Sequence, residues 1–257
     1  MVVIMIDIHS HILPSIDDGS RSVDETFNLL KEAHEAGFTT IVSTSHYFLG
    51  HYEAEEKVRK SYIDAITQKL PEVIPDLQIC VGSEIYVTNE MVSLIEEHKA
   101  STINSTKYVL FELPFEHQVP NLKDIIYNLM GHNYIPIIAH PERYKYVQKD
   151  PNLLLDLIDM GVLFQSNFAS IIDWYGKEPK KAMKQLLENN FIHFLASDVH
   201  RQETIYPQIP VILDKLKEII SEEKIEELTT TNPSLMLRGE KMHIQKPMKI
   251  KKRLFNF

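Results

Sequence analysis

The sequence contains a single cysteine, Cys80, in 257 residues, so no disulfide can form within the chain, and a reducing cytoplasm is the expected setting. A thiol-based phosphatase loop is excluded too, because it needs an arginine six residues after its cysteine and Tyr86 stands there. No apolar run approaches the ~20 residues of a membrane span. Residues 1–6 are apolar but carry neither a basic segment nor a small-residue cleavage site, and they read as a first strand. Gly/Ser-rich and Pro-rich tracts are missing, which removes disorder and repeat architectures. Positive charge is in deficit: 27 Lys and Arg face 36 Asp and Glu, a net of -9 that argues against a general nucleic-acid surface. What is present, 44% hydrophobic and 25% charged residues, suits one large core.

The chain is organised around Met5-Ile6-Asp7-Ile8-His9-Ser10-His11. On an extended strand residues i and i+2 point the same way, so His9 and His11 can place both imidazoles on one ion, or simply close a strand with two polar side chains. A turn-rich loop with Asp17-Asp18-Gly19 follows, and then a helix opened by Ser22 and Glu25 and ended by Gly37. A short β-branched strand next delivers His46. The same unit of helix, stop, buried strand and polar end recurs: His46, His140 and Asp198 each lie nine residues beyond Gly37, Gly131 and Asn189. A further helix is capped by Asp150 and ends at Gly161. Strands are expected near 3–8, 40–44, 77–82, 108–112, 135–139, 162–166 and 192–196. Helical patterns separate most of them, which is the βα alternation of a parallel barrel. In such barrels the C-terminal strand ends surround the active site, which gathers His9, His11, His46, Glu84, Glu112, His140, Asp198 and His200 on one rim, with Asp18 close by.

So many histidines and carboxylates at one end would repel or shift each other's pKa values unless divalent ions held them. The donors are imidazole and carboxylate without thiolate, which suits zinc, iron or manganese. Two or three such ions lower the pKa of bound water toward neutrality, and sites of this kind mostly hydrolyse phosphate esters or amides.

Asp7-Ile-His9-Ser-His11, Asp17-Asp18-Gly19, Ser43-Thr44-Ser45-His46, Gly82-Ser83-Glu84-Ile85-Tyr86, His140-Pro141-Glu142-Arg143-Tyr144 and Ala196-Ser197-Asp198-Val199-His200 resemble, in order, the motifs of the PHP (polymerase and histidinol phosphatase) family. More narrowly they resemble the manganese-dependent bacterial protein-tyrosine phosphatases of capsule and exopolysaccharide operons, the CpsB/CapC/YwqE type, over roughly residues 5 to 240. The resemblance implies an α/β fold, a distorted (β/α)7 TIM-like barrel, holding a trinuclear site with Mn2+ as the leading ion and Fe or Zn as alternatives. It assigns His9, His11, Glu84 and Asp198 to one ion, Glu84, Glu112 and His140 to a second, and Asp18, His46 and His200 to a third; Asp17 is expected to shape its loop. It also implies attack on phosphorus by a metal-bridging hydroxide, with Asp198 and His200 in the catalytic set. Arg143 is expected to clamp the phosphoryl group, the alternative being an ion pair with Glu142. Arg201, directly after His200, is the candidate for a second phosphate contact. The implied partner is a phosphotyrosine protein, the C-terminal tail of a bacterial tyrosine kinase.

Competing possibilities are a PHP phosphatase for a small ester such as histidinol phosphate, an amidohydrolase, and a non-catalytic metal-binding module. The catalytic domain is expected over 1–240, followed by a basic tail, 241–257, with Lys241, Lys246, Lys249, Lys251, Lys252 and Arg253 and the terminal Leu254-Phe255-Asn256-Phe257. The tail reads as solvated or loosely packed, or as a segment for a partner or acidic surface.

Overall fold

The computed structural model describes residues 5–251. Val3 and Ile4 of the expected first strand and residues 252–257 of the tail lie outside the described residues. The strands are β1 (Met5–Ser10), β2 (Phe38–Ser43), β3 (His46–Tyr47), β4 (Gln78–Val81), β5 (Glu84–Tyr86), β6 (Tyr108–Glu112), β7 (Ile135–Ala139), β8 (Leu163–Asn167) and β9 (Phe194–Ala196). The helices are α1 (Val23–Glu35), α2 (Glu56–Val73), α3 (Met91–Glu96), α4 (Leu122–Gly131), α5 (Lys145–Lys149), α6 (Leu155–Met160), α7 (Lys177–Glu188), α8 (Ile209–Lys217), α9 (Glu222–Glu226) and α10 (Asn232–Leu237).

All strand pairings are parallel, in two sheets ordered β1-β2-β4 and β3-β5-β6-β7-β8-β9. The sheets are arcs of one ring. β2 runs on into β3 after Thr44-Ser45, and β4 into β5 after Gly82-Ser83, so nine short strands fill seven positions, as the sequence pattern predicts. The strands expected near 40–44 and 77–82 are β2 and β4, and each is continued after a two-residue break by a short strand the sequence pattern did not show. Thr44 is the cause: its hydroxyl accepts from Ser10 N at 3.0 Å, standing in for a ladder carbonyl, while its N–H donates to Ser10 O at 2.8 Å. The break is spanned by Gly82 N to Ser43 O (2.8 Å) and Glu84 N to Thr44 O (2.9 Å). Between β9 and β1 no full ladder forms among the described residues. Asp198 N donates to His9 O (2.8 Å) and His11 N to Val199 O (2.9 Å), beside a single parallel bridge, Ser10–Val199. That seam is the distortion in the barrel.

Inward residues of alternate strands, among them Val42, Leu110, Ile137, Leu163 and Phe194, form one apolar cluster closed below by Met236. Their neighbours, Ile41, Phe111, Ile138, Phe164 and Leu195, face the helices in a larger cluster, so the strands are apolar on both faces. Packing inside and out leaves the polar strand ends as the place where water can reach.

Side-chain caps set a few of the helix starts. Ser22 accepts from Glu25 N at 3.1 Å to cap α1, while Glu25 itself takes Arg21 N at 2.7 Å. The helix expected from Asp150 to Gly161 begins instead as a 3-10 turn, Pro151–Leu154, with Asp150 accepting from Asn152 N, and becomes α-helical only in α6. α9 is followed by a wide turn at 227–231 leading into α10. The described part of the basic tail, residues 241–251, is largely solvated, as one of the expectations had it, but it is anchored at its start and near Met248 and Ile250. Glu240 O accepts from Tyr108 Oη (2.6 Å), Met248 N donates to Asn189 O (2.9 Å), and the Asn152 amide holds Ile250 N and O, both at 2.9 Å. No described helix is long and apolar enough to cross a membrane.

Candidate metal centre

His9, His11, Glu112, His140, Asp198 and His200 stand at or just beyond the C-terminal ends of their strands, His46 and Glu84 open the short strands β3 and β5, and Asp18 lies on the loop after β1. Three groups of their donor atoms each fall within 4.8 Å of one another: His9, His11, Glu84 and Asp198; His46, Glu84 and Glu112; and His11, Asp18, His46 and His200. His140 joins the middle group through Nε2, 2.9 Å from Glu84 Oε1 and 3.9 Å from Glu112 Oε2. The geometry thus shares residues more widely than the expected sets: His11 also reaches the Asp18 group, and His46 faces Glu84 at 3.0 Å.

Three local departures aim these side chains. On β1 the register slips between Asp7, opposite Ile41, and Ser10, opposite Ser43, so Ile8 and His9 together oppose Val42. This bulge turns His9 to the inner face, where plain alternation after Ile6 and Ile8 would point it at the helices. His140 and Asp198 leave β7 and β9 in the left-handed region, with φ of 34° and 52°. For non-glycine residues that conformation is strained, and strain held in place by its surroundings concentrates at functional sites. Gly19 is needed for a different reason: a Cβ there would stand 2.1 Å from His11 O. Only glycine lets the Asp17-Asp18 loop close over the histidines.

A second layer orients the ligands. His9 Nδ1 faces Gln165 Oε1 at 2.8 Å and His11 Nδ1 faces Asp17 Oδ2 at 2.9 Å. Both oxygens accept, so the Nδ1 atoms carry protons, and each Nε2 is left to hold either an ion or a second proton. Against its burial, the surrounding Asp17, Asp198 and Glu84 raise His11 well above the usual imidazole range, which favours a cation at that point. Those Nε2 atoms lie 3.1 Å apart, each 3.3–3.4 Å from Glu84 Oε2 and Asp198 Oδ1. Lone pairs and carboxylate oxygens converging on one point repel unless a cation stands between them. With protons alone to balance the charge, burial together with Glu84 and Asp198 pushes the Glu112 carboxyl up to about 9, and burial takes His140 down to about 4. Glu84 Oε2 and His140 Nδ1 are buried without a hydrogen-bond partner among the described residues. Every one of these features fits divalent cations bound by nitrogen and oxygen.

The centre floors a pocket of about 240 Å³ with Phe48, Tyr52, Phe115 and Arg143 on its walls. Arg143 Nη1 donates to Asp198 Oδ2 at 2.9 Å, and its guanidinium lies 4.6 Å from the Phe115 ring centre and 4.4 Å from that of Tyr175. The alternative pair with Glu142 does not form, because that carboxylate is buried among Ser166 Oγ, Ser170 Oγ and Asn167 N, at 2.7 to 2.9 Å. Arg201 donates to the Asp18 (2.9 Å) and Gly19 carbonyls and lies 3.6 Å from Glu25, and it lines a second cavity of about 250 Å³ with Arg143, Asp198 and His200.

A family model described as capsular polysaccharide synthesis, CpsB/CapC, matches residues 5–238. The chain belongs to the CpsB/CapC family. It is similar to the tyrosine-protein phosphatase YwqE of Bacillus subtilis, 33% identical over 98% of this chain and 100% of that protein. It is also similar to the tyrosine-protein phosphatase CpsB of Streptococcus pneumoniae, 33% identical over 92% of this chain and 99% of the relative. A crystal structure from a study of YwqE and CpsB, described as unique metal-dependent tyrosine phosphatases, superposes with a TM-score of 0.89 at 32% identity, covering 96% of this chain and 100% of the other.

In this CpsB/CapC chain several site residues carried little sequence signal. Gln165 and Asn167, which donates to Asp198 Oδ2 at 2.6 Å, could be suspected only as polar residues ending a buried strand. Phe48 and Tyr52 gave none. They are paired by a tight turn, Phe48 N to Tyr52 O (2.7 Å) and Tyr52 N to Phe48 O (2.8 Å), with Gly50 at its tip at φ 80°. The Tyr52 ring stacks on His46 with centroids 5.8 Å apart, and Phe48 on Tyr86 at 4.2 Å.

Proposed function

We propose that the chain is a metal-dependent protein-tyrosine phosphatase, hydrolysing phosphotyrosine on the tail of a bacterial tyrosine kinase that controls capsular or exopolysaccharide synthesis, in the cytoplasm. The observation that carries this is the convergence of three donor groups on shared carboxylates at the floor of an aromatic-walled pocket beside Arg143. His9, His11, Glu84 and Asp198 would hold one ion, Glu84, Glu112 and His140 a second, and Asp18, His46 and His200 a third. Mn2+ is the proposed ion. Bound there, such ions supply a water of lowered pKa as the nucleophile and neutralise phosphate oxygens.

The chain's own residues supply the rest. Among the described residues the bond to Asp198 is the one hydrogen bond of the Arg143 guanidinium, leaving further N–H groups to grip phosphoryl oxygens and hold charge that grows in the transition state. Phe115 and Tyr175 fix the plane of the guanidinium. Phe48, Tyr52 and Phe115 offer ring faces to the aryl group of the ester. Tyrosinate, with a parent pKa near 10, leaves with modest help from a general acid. Arg201, bonded to the Asp18 and Gly19 carbonyls at the edge of a cavity it shares with Arg143, Asp198 and His200, is proposed to hold the Asp18 loop and to offer a second phosphate contact. The catalytic unit is proposed to span 1–240 and the basic tail 241–257.

The test is hydrolysis of p-nitrophenyl phosphate, a phosphotyrosine peptide and histidinol phosphate after chelation and after return of Mn2+, Fe2+ or Zn2+ separately. Metal-dependent cleavage of the aryl esters, lost in His140→Ala, supports the proposal; preference for histidinol phosphate overturns it.

A further inference from the structure

A large concavity lies away from the metal centre. It is a groove of about 890 Å³ between α5 with the following 3-10 turn, α7, and the pinned tail. Its charge runs against that of the whole chain. Lys177, Lys180, Lys181 and Lys184 line it at i, i+3, i+4 and i+7, which places them on one face of α7, and Lys149 and Lys251 face them. Lysines elsewhere, such as Lys99, Lys123 and Lys215, sit on carboxylates at 2.7–2.8 Å. In the groove only Lys181 has a carboxylate within 4 Å, Glu178 at 3.9 Å, among the described residues. The acidic groups lining it are Asp150 and Glu188. On a chain of net charge -9, four lysines gathered on twelve residues of helix outnumber Glu178 and Glu188 on the same helix and leave the groove with a local excess of positive charge.

We infer that this groove binds an acidic stretch of polypeptide that flanks the phosphotyrosine of the substrate. The inference rests on the tyrosine-phosphatase function proposed above. Position supports it: α5 starts two residues after Arg143, and α7 starts two residues after Tyr175, whose ring packs on Arg143. The groove therefore begins beside the catalytic pocket and runs down α7. Twelve helical residues span about 18 Å, the reach of about five or six extended residues. Shape supports it as well, since the lysines line a concavity that admits an extended chain, whereas a flat bilayer would rest on the ridges. Lysine rather than arginine gives point charges without a fixed fork, which suits carboxylates presented at variable angles.

The experiment uses the full chain loaded with Mn2+ and two phosphotyrosine peptides that differ in carrying either glutamates or glutamines on the flanks. The expected result is an advantage of about tenfold in kcat/KM for the acidic peptide at low salt, expressed in KM and erased at high salt. It should vanish in K177Q/K180Q/K184Q while turnover of p-nitrophenyl phosphate stays unchanged. A fluorescent poly-glutamate peptide without phosphate, titrated after chelation, should bind the wild type and not the variant, independently of catalysis. Exposed Met248 and Leu153 lie near the groove, so vesicles of phosphatidylglycerol and phosphatidylcholine form the second arm. Lysine-dependent vesicle binding without peptide binding overturns the proposal, as does equal turnover of the two peptides. Absence of any phosphotyrosine hydrolysis by the metal-loaded wild type would instead sink the proposed function, and poly-glutamate binding would still judge the groove.

Discussion

The floor and the walls of the catalytic pocket are built on opposite plans. On the floor, His9, His11, Glu84, His140 and Asp198 are buried at the ends of core strands, and His9, His11 and Asp198 are aimed by Gln165, Asp17 and Asn167. The walls are half-buried aromatics on turns, Phe48 and Tyr52 around Gly50, with Arg143 on a 3-10 turn. A buried floor has few ways to rearrange, so it can set the chemistry; a wall carried on short turns can change its residues without disturbing the barrel, so it can set what is bound.

The sharpest way to break this division is to remove the floor's ions. Chelation, or Glu84→Gln, which touches two of the three donor groups, should lower kcat by at least about 10³-fold toward every ester alike. Return of Mn2+ to the chelated wild type should restore it, and should raise the melting temperature as well, because an ion that binds only the folded state stabilises it. An unchanged melting temperature with and without metal would contradict a site preformed by the barrel.

Arg143 stands where floor meets wall. Arg143→Ala should cost about 10²–10³-fold in kcat/KM, and Arg143→Lys should recover little, because an ammonium lacks the planar fork and the stacking on Phe115 and Tyr175. Full rescue by lysine would reduce the role to simple charge. One layer below, Gln165→Leu should weaken metal affinity about 10- to 100-fold, read by titration, while turnover at saturating metal stays near wild type.

Walls should answer differently. Phe48→Ala or Tyr52→Ala is expected to lower kcat/KM for a phosphotyrosine peptide about five- to tenfold while leaving a small alkyl phosphate almost untouched. An equal loss on both esters would mean that the turn supports the floor after all.

The smallest effect at neutral pH belongs to His193, beneath the floor, where its Nδ1 accepts from Phe164 N at 3.0 Å and Nε2 has no partner among the described residues. Burial, with Lys224 nearby, lowers it to about 3. The folded ring stays neutral while the unfolded chain takes a proton below about 6.5, so stability is lost as pH falls from there toward 3. About 2 kcal/mol should go between pH 6.5 and 4.5. Denaturant unfolding across that range should show a shallower slope for His193→Asn than for the wild type, with equal activity at pH 7.5.

Taken alone, the sequence determined the alternation of strand and helix, the seven barrel positions, and the rim on which His9 through His200 collect. Those follow from hydrophobic period, glycine stops and strand-end polarity, all of which are local. It also carried the ordered motifs of the family. What it could not decide depends on residues far apart in the chain meeting one another. The bulge that turns His9 inward exists because β1 must pair with β2 over Val42. Strands β2 and β4 break because Thr44 bonds Ser10 across the ring. Arg201 is drawn to the Asp18 loop, 183 residues away in sequence. The lysine face of α7 reads as an ordinary solvated helix surface until the tail, pinned by Asn152, closes a groove against it. Periodicity records which face of an element is buried; only the packed chain decides what that face, or the opposite one, will meet.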